Sequence, residues 1–312
     1  APGPVSGQSD APLQIYGEGA LTCATYSRTG KHVATAGSGG WAVLWDADTG
    51  EIMRRFLGHQ GRVECVAFSP DGARLLTGSF DCTAKLWDLE SGVEIRTFPV
   101  LWQIVVSVAF SPDGTQVVTG IQDGTAKLWD VESGAELRAF AGHTDWVTSV
   151  AFSPDGQRIL TASRDNTAKL WDVESGQSIR TFAGHTDDLW SADYSPDGRR
   201  ILTGSSDGTA NLWDAESGRL LGTFAEHSLG VSSVAFSPNG MQLLIGGEDG
   251  TASLWDTESG EPIRTFAGHG YAYRVLSVAF SPDGQRVLTG GYDNEVKLWE
   301  AETGEEIRTL AD

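Results

Sequence analysis

The stretch SPDGQRILTASRDNTAKLWDVESGQSIRTFAGH, residues 153–185, decides the fold, because it returns along most of the chain with few changes. Trp-Asp pairs stand at Trp45-Asp46, Trp87-Asp88, Trp129-Asp130, Trp171-Asp172, Trp213-Asp214 and Trp255-Asp256, with Trp299-Glu300 as a seventh variant; the step is 42 residues five times and then 44. A fixed period of that size marks an array whose units bury their faces by stacking on neighbours. Within one unit, VTSVAFS, RILTAS, TAKLWDV and SIRTFAG are short runs rich in β-branched and aromatic residues, which reads as four strands. Their separators, Ser153–Gly156, Arg164-Asp165-Asn166 and Glu174-Ser175-Gly176, are residue types that favour tight reversals, so the strands form a meander. Seven such meanders predict an all-β chain: a single seven-bladed β-propeller with four antiparallel strands per blade, closed so that only short edges are left.

The 312 residues are 40% hydrophobic and 21% charged, enough to bury a sizeable core. With 22 Lys plus Arg against 42 Asp plus Glu, the net charge is −20, which repels phosphate backbones and anionic membrane surfaces; neither nucleic acid nor membrane is expected as a partner. Cys23, Cys65 and Cys82 have neither a CxxC spacing nor a cluster of other ligands, so no disulfide framework, metal or cofactor is expected, and a cytoplasmic setting fits. No run approaches the roughly 20 apolar residues that span a bilayer. The Pro/Gly/Ser-rich residues 1–12 read as a linker or tail, residues 13–312 as the propeller, and the whole as a piece of something longer.

From about residue 13 to residue 310 the chain resembles the WD-repeat β-propeller family: seven Trp-Asp or Trp-Glu pairs stand in register, five units also carrying a Gly-His or Glu-His pair. The resemblance implies that the His entering a blade, a Ser/Thr of the second strand, the Asp of the second turn and the Trp form one hydrogen-bonded chain. Such a set buries four polar groups with matched donors and acceptors. By position the full sets are His59, Thr77, Asp81, Trp87; His143, Thr161, Asp165, Trp171; His185, Thr203, Asp207, Trp213; and His269, Thr289, Asp293, Trp299. The third unit has Leu101 at the His position, the sixth has Ile245 for Thr beside His227 and Asp249, and the first has Gly17 and Gly39 for His and Asp; these three are expected to be looser. A His, Thr, Asp set also resembles a hydrolytic triad. An enzyme needs one such set in one cleft, however, and here copies are distributed around a ring, so they read as blade staples and no catalytic residue is assigned.

If the repeats build the scaffold, residues that break the pattern carry recognition. Acid gathers on the face of the first and third turns (Asp71, Asp113, Asp155, Asp197, Asp283), which reads as solubility with good turn formers. The opposite face, the one normally used for partners in families this chain resembles, varies sharply. There Arg62, Phe80, Trp102, Trp146, Arg164, Tyr271, Tyr273, Arg274 and Tyr292 gather as the expected partner-binding rim, residue types that dominate hot spots. Trp190 and Asp193 depart from the pattern on a first strand, which lines the channel; Asp193 is expected to pair with a polar group of a neighbouring blade. Trp41 is expected to cover the ring's seam. At that seam LQIYGEGAL, residues 13–21, is expected to join the last blade as its outer strand, with EEIRTL, 305–310, outside it or displaced.

The function expected is a non-catalytic scaffold, a monomer binding a protein or peptide segment across the rim. The close likeness of its repeats is similar to that of bacterial proteins carrying such arrays behind a kinase or nucleotide-switch module, which implies a sensor or regulatory domain. The other readings are an enzyme with a channel-mouth active site, to which Asp193 alone points, and a stand-alone repeat protein without a dedicated ligand.

Overall fold

The computed structural model describes residues 20–225, 227–270 and 274–310. Twenty-eight strands form seven four-stranded antiparallel sheets, each in chain order, and no helix among the described residues is long and apolar enough to cross a membrane. Blade 4 shows how the repeat folds. Val147–Phe152, Arg158–Ser163, Thr167–Asp172 and Ser178–Ala183 run from the inside of the ring to its outside. Ser153 Oγ donates to Asp155 and accepts from the amide of Arg158 at 2.9 Å, while Gly156 takes φ +72°, so the Ser-Pro-Asp-Gly chemistry fixes the first reversal.

The core lies between blades as much as within them. Phe140, on the outer strand of blade 3, meets Trp171 of blade 4 at 5.9 Å between ring centroids, and both belong to one buried cluster with Val118, Leu128, Val147 and Ile159. Each of the seven clusters joins two adjacent blades in this way. No blade can therefore bury its apolar faces without both neighbours.

The inner strands, Leu21–Tyr26, Val63–Phe68, Val105–Phe110, Val147–Phe152, Leu189–Tyr194, Val231–Phe236 and Val275–Phe280, each neighbour the next, and the last neighbours the first. Their third positions stitch the ring. Ser149 Oγ accepts from the amide of Ala192 at 3.2 Å, and Ser277 Oγ accepts from the amide of Ala24 at 3.2 Å and donates to its carbonyl at 2.9 Å. Cys23 and Cys65 hold this position in blades 1 and 2, and burial pushes both thiols up in pKa. Outside, Arg54, Arg96, Arg138, Arg180, Arg264 and Arg308 each reach the third turn of the following blade and donate to its backbone carbonyls, as Arg54 does to Ser91 at 2.8 Å and Arg180 to Ser217 at 2.9 Å.

The seam corrects one expectation. Glu306–Leu310 is neither displaced nor separated from the last blade but pairs directly with Val296–Glu300 as its fourth strand; Lys297 faces Thr309, and Trp299 faces Glu306. Leu21 instead opens the inner strand of blade 1, while residues 13–19, like the expected linker 1–12, lie outside the described residues. The reason is side-chain chemistry. Leu310 is buried in the seam cluster and Arg308 clasps the carbonyls of Asp48 and Thr49, roles for which LQIYGEGAL has no arginine. Trp41 packs against the same cluster, which joins Leu21, Val43 and Trp45 of blade 1 to Leu288, Val296 and Leu310 of blade 7. Among the described residues the ring thus closes through side-chain contacts, with no strand shared between blades 1 and 7. Ser277→Ala removes both bonds to Ala24 and is expected to lower unfolding free energy by about 1–3 kcal/mol, with faster amide exchange confined to the inner strands of blades 1 and 7; uniform acceleration around the ring would contradict this closure.

Candidate functional site

The repeated polar sets lie inside blades. His59, in the loop that enters blade 2, places Nδ1 at 2.7 Å from Asp81 Oδ2 and Nε2 at 2.7 Å from Thr77 Oγ1, which accepts from Trp87 Nε1 at 2.9 Å. The sets of blades 4, 5 and 7 repeat this: His143 with Asp165 and Thr161, His185 with Asp207 and Thr203, His269 with Asp293 and Thr289, each Thr accepting from its Trp (Trp171, Trp213, Trp299) at 2.9 Å. Burial lowers the pKa of His59. Burial works against the carboxylates of Asp81 and Asp165, yet Thr83 and Thr167, backbone amides and the two imidazoles hold both below the usual range. Both ring nitrogens of each His are engaged, an arrangement that fixes the loop.

Of the three incomplete blades, two have the missing group's place taken by another side chain and one keeps a small cavity. In blade 6, Ser253 on the third strand replaces the missing hydroxyl, accepting from Trp255 Nε1 at 2.9 Å and lying 2.9 Å from His227 Nε2. In blade 3, Leu101 does not occupy the imidazole site. It points to solvent, and Val100 joins the cluster containing Trp129. In blade 1, Gly17 lies outside the described residues, and the indole of Trp41 lies against Gly39, leaving a cavity of about 50 Å³ beside Thr35 and Trp45.

At the opposite end of the blades from the Ser-Pro turns, the residue preceding each inner strand pairs by backbone with a residue of the second turn. Phe80 N donates to Arg62 O at 2.9 Å, Arg164 to Trp146 at 3.0 Å, Ser206 to Asp188, Glu248 to Gly230 and Tyr292 to Arg274 each at 2.8 Å, and Gln122 to Ile104 at 3.1 Å; in blade 1, Ser38 N donates to Ala20 O at 2.9 Å. Seven pairs therefore ring one end of the propeller, and they bring most of the expected rim together. Arg62 stacks over Phe80 at 5.5 Å and pairs with Glu64; Arg274 pairs with Glu248 at 3.0 Å beside the 54%-exposed Tyr292. Trp102, two residues before Ile104, is 90% exposed and holds φ +58°, an uncommon conformation for a bulky residue. Tyr271 and Tyr273 lie outside the described residues.

The centre of this rim is a stack that sequence reasoning placed incompletely. The Arg164 guanidinium lies between two indoles, 4.2 Å from the Trp146 ring centroid and 4.6 Å from that of Trp190, whose Nε1 donates to Ser206 Oγ at 2.6 Å. Asp188 sits 3.8 Å from Arg164 Nε, its pKa raised first by burial and then by Asp187 and Asp145. Trp190, read from the sequence as a channel-lining residue, reaches the rim: it stands at the second position of its inner strand, where the register shifts in every blade, and there its indole meets Arg164.

Asp193 pairs with the neighbouring blade: its Oδ2 accepts from Phe236 N at 2.9 Å, and its Oδ1 from Tyr194 N at 2.8 Å. Five sister positions are alanine: Ala67, Ala109, Ala151, Ala235 and Ala279. Enclosure at this seam pushes the pKa of Asp193 up to about 6, against the pull of both amides.

The ring and its repeated staples define a seven-bladed β-propeller. A family model described as WD domain, G-beta repeat matches residues 50–88 and 260–300, and one described as IFT122 first beta-propeller matches residues 104–272. The chain belongs to the WD-repeat β-propeller family, whose members are typically protein–protein interaction scaffolds and generally non-catalytic. No curated protein matches it.

Two outcomes follow from the site chemistry. Thr161→Val strands both an imidazole and an indole and is expected to cost about 2–4 kcal/mol, clearly more than Thr119→Val in blade 3, where Trp129 Nε1 at 3.1 Å is the one side-chain donor; equal losses in urea titrations would contradict the relay. For Asp193 the folded pKa lies above the unfolded value near 4, so its contribution is greatest below about pH 4 and is lost as pH rises through about 6. Against Asp193→Ala, the wild-type stability advantage should fall across that window; a flat difference would show that the carboxyl does not titrate there.

Proposed function

We propose that the rim binds a protein or peptide segment and that the chain acts as a monomeric, non-catalytic recognition domain. What supports this reading is the contrast between the two ends of the blades. One end repeats the same turn, while the seven backbone-paired positions at the other end differ from blade to blade and carry Arg62, Phe80, Trp146, Arg164, Arg274 and Tyr292, with Trp102 and Trp190 alongside. Rigid aromatic anchors with stacked guanidiniums lose little conformational freedom on binding, which favours hot spots. The likeness among the repeats supports a place as the sensor or regulatory part of a larger bacterial signalling protein, and the three free cysteines fit a cytoplasmic one. Nucleic acid and anionic membrane are disfavoured as partners by the net charge of −20.

The experiment is a displayed-peptide selection against the whole chain, followed by binding to Trp102→Ala, Trp146→Ala and Tyr292→Ala. Selected peptides are expected to lose about tenfold or more in affinity to at least one variant, roughly 1.4 kcal/mol or more, while melting shifts little for the highly exposed Trp102. Peptides that bind all three variants as tightly as wild type would refute the rim assignment.

A further inference from the structure

The ring of arginine clasps is interrupted once. Six outer strands carry an arginine that crosses to the third turn of the next blade, and blade 5 has Gly222 at that position. The receiving turn on blade 6 is nonetheless built like the others. Asp256 Oδ1 accepts from the amides of Glu258 and Ser259, and Gly260 keeps the left-handed φ of +70°. In the six clasped junctions a guanidinium-bearing chain passes over the turn glycine, as Arg180 does 2.8 Å from the Cβ position of Gly218; over Gly260 nothing lies within 4 Å, and it alone of the seven turn glycines is exposed. No hydrogen bond among the described residues reaches the carbonyls of Glu258 or Ser259.

Two further features mark the same junction, an uncharged outer strand and an unpartnered hydroxyl. Outer strands elsewhere carry at least one charged residue, the usual guard against pairing with foreign strands, whereas Leu220–Phe224 carries none and exposes Leu220 and Leu221. Beside the turn, as at the clasped junction between blades 3 and 4, lies a cavity, here of about 330 Å³ and lined by Arg200, Met241, Thr257 and Glu258. Thr257 there is buried with its hydroxyl unpartnered, at a position that is Ala, Leu or Val in the other blades. Asp256 and Glu258 make the turn's surroundings negative.

We propose that the seam between blades 5 and 6 is a docking site for a segment of a partner protein that presents an arginine, its guanidinium occupying the slot that Gly222 leaves empty and its apolar neighbours lying on Leu220 and Leu221. The chain itself specifies the ligand: at six equivalent junctions the occupant is a guanidinium with its in-plane N–H groups on two successive carbonyls or one of them. This surface lies on the outside of the ring and is independent of the rim.

The test uses the full chain and the capped tripeptide Ac-Ile-Arg-Thr-amide, which copies residues 179–181 of the intact clasp from blade 4. Amide resonances of Glu258, Ser259 and Gly260 are expected to shift saturably on titration, with at least about threefold weaker binding for the lysine analogue, which lacks the planar fork. Gly222→Arg fills the slot from within; a Cβ at 222 meets only the Phe224 ring, at 3.7 Å, so the variant is expected to fold and to melt no lower than wild type. In that variant the peptide response at 258–260 should vanish. Absence of shifts in the wild type, equal response to arginine and lysine peptides, or an undiminished response in folded Gly222→Arg would each overturn the proposal.

Discussion

Every blade of this ring depends on contact with two neighbours, because the apolar clusters are shared across junctions. Seven junctions must close at once, and a change in one blade's thickness or pitch would be felt around the circle. That constraint explains the sequence more economically than any function could. Strand length, the turn chemistry and the Phe-on-Trp contact recur because the geometry has one solution, and the places where they do not recur are the places where the ring tolerates freedom.

The incomplete blades show how narrow that tolerance is inside. Where the polar relay loses a member, another group takes the volume or the hydrogen bond: Ser253 for the hydroxyl in blade 6, Val100 beside Trp129 in blade 3 and, leaving a small cavity, Trp41 over Gly39 in blade 1. A buried indole N–H without an acceptor would cost more than the substitution. At the surface the rule is different. The paired rim positions share a backbone arrangement and little else, and the missing arginine at Gly222 is left without a substitute from the described residues. Recognition by variable side chains on an invariant frame is thus the division of labour that this architecture permits.

The blade count and strand order were legible in the sequence because each is written several times around a Trp, and the four complete staples were what the family resemblance implied. What is written once was harder to read. Trp190 looked like a channel residue because it stands on an inner strand; the bulge there recurs in every blade, but an indole at that position, reaching Arg164, occurs once. Two segments competed for the last outer strand, and the choice rested on where Arg308 and Leu310 anchor, which only packing reveals. Ser253 escaped notice because the hydroxyl it supplies comes from the next strand over.

The central claim is that residues which repeat hold the ring and residues which vary at the rim bind. Saturation mutagenesis of the whole chain, scored in parallel for protease resistance and for capture of a selected peptide, measures both properties at every position. The account predicts that substitutions at the staples and clasps reduce protease resistance, while those at Trp102, Arg164, Trp190 and Tyr292 reduce capture with resistance largely kept. If capture instead tracks resistance everywhere, or depends on the repeated Ser-Pro-Asp-Gly turns, the division between scaffold and rim does not exist.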